Sequence, residues 1–148
     1  MTNLADVEPI KILLVEDNPA DVRITREALD ALGMRHTVHV VEDGLDAIAF
    51  LYQQGRYSGA QLPDLVMLDL DIPRVNGREV LLELKTNDRL RHISVVVLTG
   101  SRARRDARDS CRRGADHFMV KPNGLDGFRQ EMRSIGRLLS RGAHPHSQ

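Results

Sequence analysis

Cysteine is nearly absent from this chain, and long apolar runs and an excess of either charge are absent altogether. The single Cys111 excludes an internal disulfide. No stretch offers the roughly 20 apolar residues of a membrane-spanning helix, and the polar, acidic residues 1–9 do not form a signal peptide. With 21 basic and 21 acidic residues, no overall field attracts nucleic acid or an anionic membrane. We expect a cytoplasmic protein whose electrostatic function is local.

A length of 148 residues corresponds to one domain of ordinary size. Short β-branched runs alternate with segments of helical period, which is typical of βαβ units and a parallel sheet. We predict a flexible N-terminus at 1–8, one folded domain at 9–140 and a disordered tail at 141–148.

The first two helices carry start signals in the sequence. Asn18 is the expected cap of a helix that runs to about Leu32, and Asp43 caps a second helix that ends near Leu51. A strand from about residue 37 to 41 lies between them. Residues 53–63, with two glycines and a proline, are predicted to be a long loop.

Four apolar, strand-like runs each end next to a charged or hydroxyl residue. Residues 10–15 precede Glu16 and Asp17, 65–68 precede Asp69, 95–98 precede Thr99, and 117–120 precede Lys121. The carboxyl ends of parallel strands meet at one edge of the sheet, where ligands bind. Three carboxylates repel each other unless a hard cation neutralises them, and such oxygen ligands suit Mg²⁺. The pattern predicts a site for a metal ion and a phosphoryl group.

Each of these residues has an expected role in phosphoryl transfer. Asp69 is the natural nucleophile, because a central carboxylate can attack phosphorus to give an acyl phosphate. Glu16 and Asp17 would hold Mg²⁺, helped by a backbone carbonyl near Asp71. Lys121 and the Thr99 hydroxyl would bind phosphate oxygens.

With these residues in place, the chain strongly resembles the receiver domain of two-component response regulators. The resemblance covers about residues 10–139 and depends on four motifs in the family's order. They are Val15-Glu16-Asp17-Asn18, Leu68-Asp69-Leu70-Asp71-Ile72-Pro73 with Asn76-Gly77, Leu98-Thr99-Gly100 and Val120-Lys121-Pro122. The resemblance implies an α/β, flavodoxin-like (βα)5 sandwich of three layers, with a parallel five-stranded sheet in the order 2-1-3-4-5.

The resemblance also implies a mechanism and a partner. Asp69 would be the phosphoacceptor, and a sensor histidine kinase would be the donor. Phe118 matches the family's switch aromatic, which turns inward when Thr99 moves onto the phosphate. The start of the first helix would dock the kinase, because it lies beside the active edge. The docking residues would be Asn18, Ala20, Asp21 and Ile24.

Within the family, the chain is most similar to small single-domain regulators paired with bacterial phytochromes. The similarity depends on the loop at 53–63, on Leu62-Pro63-Asp64-Leu65 and on residues 87–93. Two positions depart from the common pattern. Asp71 stands where this subgroup commonly has asparagine, and Gly100 stands where alanine or threonine is frequent. Both positions lie close to the expected phosphoryl site, so they bear on how long the phosphorylated form would last.

Two other functions are consistent with parts of the sequence. Asp69 and Asp71 also resemble the aspartate pair of haloacid-dehalogenase-type phosphatases. In those enzymes, however, the acid pair that binds the metal follows the lysine in the sequence, whereas here Glu16 and Asp17 precede it. The helix from Arg102 to Arg113 could bind DNA, although no helix-turn-helix or zinc motif accompanies it. We therefore expect no enzyme activity beyond self-limited phosphoacceptance and autodephosphorylation, and no nucleic-acid partner.

Output would pass through the surface of the fourth helix, fifth strand and fifth helix, which lie next to the switch residues. An arginine stripe on the fourth helix could pair with the fifth helix of a second copy across a two-fold axis. We predict a homodimer through this face. The residues concerned are Arg104, Arg108, Arg112, Asp126, Glu131 and Leu138.

Overall fold

A computed structural model describes residues 8–70, 72, 74–99, 114–120 and 133, without the side chains of Thr99 and Val120. The strands in these residues are β1 (Ile10–Val15), β2 (His36–Val41), β3 (Leu65–Asp69), β4 (Ser94–Thr99) and β5 (His117–Val120). The helices are α1 (Pro19–Ala31), α2 (Gly44–Leu51) and α3 (Gly77–Thr86), with a short 3-10 helix at Gly55–Tyr57. The predicted strands agree with the observed ones to within one residue at each end.

The five strands form one parallel sheet in the order β2-β1-β3-β4-β5, which confirms the predicted topology. The register brings the carboxyl ends of the strands to a common level. Val15 of β1 lies opposite Val41 of β2 on one side and Leu68 of β3 on the other. Thr99 of β4 lies opposite Val120 of β5. Residues that follow these strands therefore meet at one edge of the sheet.

Alternate residues of the central strands face opposite sides of the sheet, so two separate cores form. Leu14 of β1 and Met67 of β3 pack with Leu29 of α1 on one side. Leu13 of β1 packs with residues of α2 and α3, among them Leu81, on the other side. The sheet is buried between helices on both faces, which gives the three layers expected from the sequence.

The predicted helix caps are present. The Asn18 side chain accepts hydrogen bonds from the backbone N–H groups of Ala20 and Asp21, at 2.9 and 3.3 Å. The Asp43 side chain accepts one from the N–H of Asp46, at 2.7 Å. These caps fix the N-termini of α1 and α2, which begin at the same edge of the sheet as the acidic residues.

The loop predicted at 53–63 contains the 3-10 helix, which the sequence analysis did not predict. Tyr57 at the end of this turn is buried, and its ring lies edge-on to Phe50 with 5.2 Å between centroids. The turn is held by this tertiary contact with α2 rather than by a local sequence signal. Among the described residues, no helix is long and apolar enough to cross a membrane.

Several predictions concern residues outside the described part of the chain. These are the terminal segments at 1–7 and 141–148, the fourth helix around Arg102–Arg113 with Cys111, and the fifth helix. The proposed dimer interface therefore lies outside the described residues. The domain boundaries at 8/9 and 140/141 stay predictions.

Candidate metal centre

Two acidic residues directly follow β1. Glu16 is completely buried, and its backbone N–H donates to the carbonyl of Val41 at 2.9 Å, which extends the pairing of β1 with β2. Its carboxylate accepts a hydrogen bond from the N–H of Asn18 at 3.2 Å. Asp17 is exposed. One carboxylate of this pair is thus fixed inside the protein, and the other lies open to solvent.

Asp69 is the last residue of β3 and lies one position beyond Leu68, which is opposite Val15. The register therefore places Asp69 beside Glu16. Asp69 is only 3% exposed. Carboxylate oxygens of Glu16, Asp17 and Asp69 all lie within 4.8 Å of one another. The structure thus brings together the three carboxylates that the sequence analysis assigned to a metal site.

The donor set fits a hard divalent cation. Three carboxylates within 4.8 Å repel one another, and two of them are almost removed from water. Carboxylate oxygens are the ligands that Mg²⁺, Ca²⁺ and Mn²⁺ prefer, whereas Zn²⁺ and Cu²⁺ sites are richer in nitrogen or sulfur. A bound cation would offset the repulsion, and the open side at Asp17 gives it access to the cluster.

The other predicted site residues are only partly described. Thr99 ends β4 at the same edge, but its side chain lies outside the described residues, as do Asp71 and Lys121. Phe118 lies on β5 opposite Val97 and is partly buried against the core formed with α2 and α3. Its position in the sheet agrees with the sequence prediction, and its switch role stays a prediction.

Gly77, predicted from the sequence only as part of a motif in a turn, makes a close contact with the site. A Cβ atom on Gly77 would lie 2.5 Å from Leu70 Cα and 2.7 Å from the carbonyl oxygen of Asp69. The first residue of α3 therefore rests directly on the backbone of the acidic residue. Its N–H also donates to the carbonyl of Leu70 at 3.2 Å. A glycine directly after a helix-capping asparagine was the available signal.

Two more residues near the site were not assigned a role there. Arg74 has a left-handed backbone with φ of 68°, which is uncommon for a residue with a side chain. Its guanidinium lies 3.5 Å from a carboxylate oxygen of Asp43, the cap of α2. From the sequence, Asp43 was predicted only to cap α2. The loop between β3 and α3 is thus tied to the start of α2.

A cavity of about 430 Å³ lies at the opposite, amino-terminal part of the sheet. Its lining includes Lys11, Arg56 and the rings of His39, Phe50 and Tyr57. Partial burial, and next the charges of Arg56 and Arg26, lower the pKa of His39. This cavity is separate from the carboxylates, so it is not part of the candidate metal centre.

Comparison with known proteins agrees with this geometry. The model of the response regulator receiver domain matches residues 12–133. Response regulator Rcp1 of Synechocystis is 43% identical over 117 residues, which is 79% of this chain and 80% of that protein.

Two solved structures are similar in both sequence and fold. The phosphorylated cyanobacterial phytochrome response regulator RcpA superposes with a TM-score of 0.82 and 39% identity, over 89% of this chain and 94% of that one. The Mn²⁺-bound form of response regulator Rcp1 superposes with a TM-score of 0.79 and 40% identity, over 86% of this chain and 91% of that one. The match of the family model to residues 12–133, the similar fold of these structures over most of the chain and the clustered carboxylates lead to one conclusion: this protein belongs to the response regulator receiver family of two-component signalling.

Proposed function

We propose that this receiver accepts a phosphoryl group from a sensor histidine kinase onto Asp69, in a Mg²⁺-dependent reaction, and signals through protein contacts. The observation that carries the proposal is the cluster of Glu16, Asp17 and Asp69 at the carboxyl edge of the sheet. Asp69 is the central member in the sheet, because β3 lies between β1 and β4.

The reaction is a transfer between phosphohistidine and the Asp69 carboxylate. A carboxylate oxygen forms a bond to phosphorus while the P–N bond breaks, and the imidazole nitrogen keeps the electron pair and takes a proton from water. The product is an acyl phosphate. Asp69 is almost buried, so the donor must approach from the open edge at Asp17.

Glu16, Asp17 and Asp69 would hold the metal ion, with the backbone carbonyl of Asp71 as a further ligand. When bound, Mg²⁺ neutralises the carboxylates and the phosphoryl oxygens that would otherwise repel each other. The Mn²⁺-bound form of Rcp1 supports a divalent ion in a similar receiver. The oxygen-only donor set supports Mg²⁺ as the natural ion.

Lys121 and Thr99 would bind the oxygens of the phosphoryl group after transfer. Thr99 is the last residue of β4 and lies opposite Val120, the last residue of the neighbouring strand β5. Lys121 directly follows Val120 in the sequence. Movement of Thr99 onto the phosphate would free space for Phe118, which lies on the same pair of strands. Thr99 and Phe118 would pass the signal to the predicted fourth and fifth helices and to the homodimer interface predicted there.

The kinase partner is proposed to be of the phytochrome type, on the basis of similarity to the phytochrome response regulator RcpA. It would dock at the start of α1, where Asn18 and Ala20 are exposed and Asp21 and Ile24 are partly exposed. The cap at Asn18 positions this helix end beside Glu16 and Asp17. A cytoplasmic location stays a prediction from the sequence.

Phosphoacceptance is proposed to be limited to one group per molecule, with autodephosphorylation rather than turnover of small substrates. The order of the chain supports this over the phosphatase alternative, because the acid pair follows β1 and precedes Asp69. Incubation with acetyl phosphate and p-nitrophenyl phosphate separates the two functions. A single stoichiometric transfer from acetyl phosphate supports the receiver, and continuous release of p-nitrophenol would support the phosphatase.

The assignment of Asp69 is tested by phosphorylation of the full chain with acetyl phosphate and Mg²⁺. Wild-type protein should take up one hydroxylamine-sensitive phosphoryl group, and Asp69→Asn should take up none. Asp64→Asn serves as a matched control, because Asp64 lies at the opposite end of β3 and pairs with Lys11. Persistent labelling of Asp69→Asn would contradict the proposal.

A further inference from the structure

The first residue of α2 lies against the loop that follows β3, with no room for a side chain. A Cβ atom on Gly44 would lie 1.8 Å from the carbonyl oxygen of Val75 and 2.6 Å from its carbonyl carbon. Both atoms belong to the backbone, so rotation of a side chain cannot relieve the contact. Gly44 is buried, and Val75 is partly buried against the same core as α2. The absence of a side chain at Gly44 therefore sets the distance between α2 and this loop.

A polar contact joins the same two segments. One carboxylate oxygen of Asp43 accepts the N–H of Asp46 at 2.7 Å and caps α2. The other lies 3.5 Å from the guanidinium of Arg74, in the loop. Because Arg74 is largely exposed, this ion pair contributes less than the backbone contact at Gly44.

The other end of the loop rests on the phosphoacceptor strand. Gly77 lies two residues after Val75, and its Cα is packed so tightly that an added Cβ would overlap the backbone of Asp69 and Leu70. The short segment 75–77 thus contacts α2 at one end and the backbone of Asp69 at the other. Close-packed backbone transmits a displacement, since it cannot absorb one by a rotamer change.

We propose that Gly44 is a positioning residue of the metal and phosphoryl site, with Asp43 and Arg74 in a supporting role. Gly44 fixes where the loop between β3 and α3 lies, and the loop in turn fixes the backbone of Asp69 and with it the position of the Asp69 carboxylate. The link to phosphoryl transfer rests on the function proposed above. The mechanical link between α2 and Asp69 does not depend on that function.

Gly44→Ala tests the proposal, because alanine suits the first turn of a helix and the only strain comes from the contact with Val75. The loop or α2 would have to move by more than about 1 Å to restore normal packing. Gly59→Ala is the matched control. A Cβ atom there meets nothing within 4 Å, and its backbone is not left-handed.

Three measurements on the full chain report the effect. Amide chemical shifts of Leu70 and Gly77 should change in Gly44→Ala and not in Gly59→Ala. Mn²⁺ affinity, from the free-ion signal in electron paramagnetic resonance, should fall about tenfold, as for changes in groups that orient metal ligands. The rate of phosphorylation by acetyl phosphate should fall with it, while the urea m-value stays that of the wild type.

Folded Gly44→Ala with wild-type shifts at Leu70 and Gly77 and wild-type Mn²⁺ affinity would overturn the proposal. Should Gly44→Ala not fold, Asp43→Asn decides, since asparagine keeps the capping oxygen and removes the charge that faces Arg74. Asp43→Asn and Arg74→Gln should each lower Mn²⁺ affinity about threefold without loss of stability. Arg74→Lys keeps the positive charge and should have the wild-type affinity. Unchanged affinity in Asp43→Asn and Arg74→Gln would then overturn it.

The two proposals fail in different ways. Wild-type protein that binds Mn²⁺ but takes no phosphoryl group on Asp69 would refute the proposed function. The amide shifts of Gly44→Ala would still test the contact between α2 and the loop. Normal phosphorylation of the wild type with no effect of Gly44→Ala would refute only the positioning role.

Discussion

Asp17→Asn should make the metal-free protein more stable and make the metal-loaded protein lose that advantage. The Asp17 carboxylate lies within 4.8 Å of those of Glu16 and Asp69. At 4.8 Å, two unit charges repel by about 0.9 kcal/mol in water and about 3.5 kcal/mol at an effective dielectric constant of about 20. Because Asp17 is exposed, the value for water applies to both pairs. Neutralising Asp17 should therefore stabilise the metal-free protein by about 1–2 kcal/mol, or about 3–6 °C in Tm.

Metal binding offsets this gain in stability. A ligand at about 100 times its Kd stabilises the folded state by about 2.7 kcal/mol, and a tenfold loss of affinity removes about 1.4 kcal/mol of this. Asp17→Asn removes one of three charged ligands, so we expect at least that loss. In saturating Mg²⁺ the variant should no longer be more stable than the wild type.

Urea unfolding followed by circular dichroism, with and without Mg²⁺, measures this crossing, since the chain has no tryptophan for fluorescence. Asp88→Asn is the control for the loss of one negative charge, because Asp88 is highly exposed and pairs with Arg91 three residues away. It should change the free energy of unfolding by less than about 0.5 kcal/mol in either condition. An Asp17→Asn protein that is less stable than wild type without metal, yet gains as much from Mg²⁺, would refute the reasoning.

Charge reversal in Asp21→Lys should slow transfer from the kinase and leave labelling by acetyl phosphate intact; equal loss of both would indicate a folding defect. The lowered pKa of His39 means that protonation favours the unfolded chain, so stability should fall as the pH drops below about 6.5, and His39→Phe should reduce this slope in urea unfolding. A His39→Phe protein with the wild-type slope would exclude this residue as the source. Sedimentation should show a dimer at tens of micromolar that Arg108→Glu with Arg112→Glu dissociates; a monomer in both phosphorylation states removes the dimer prediction.

The parts of the fold that local signals determine could be predicted. Strand positions followed from apolar runs, and the caps at Asn18 and Asp43 followed from residue types that accept hydrogen bonds from helix N–H groups. The three carboxylates could be placed together because their strands are parallel and adjacent. The order of the strands in the sheet was predicted from the resemblance to receiver domains, because the sequence of a strand does not indicate its neighbours.

Features that depend on contacts between distant segments could not be predicted. The 3-10 helix at Gly55–Tyr57 is stabilised by the packing of Tyr57 on Phe50, which no local pattern indicates. The close approach of Gly44 to the carbonyl of Val75 is likewise a contact between distant segments that no local pattern indicates. The left-handed backbone of Arg74 was also unexpected, because glycine or asparagine usually occupies that conformation.

The central claim is that Asp69 is the residue that receives the phosphoryl group. Wild-type protein phosphorylated in Mg²⁺ can be reduced with borohydride, which converts an aspartyl phosphate to homoserine, and then mapped by peptide mass spectrometry. We expect homoserine at position 69 and unmodified aspartate at position 71. Homoserine at position 71 or 17, or no reduction product at all under conditions in which Mg²⁺ binds, would contradict it.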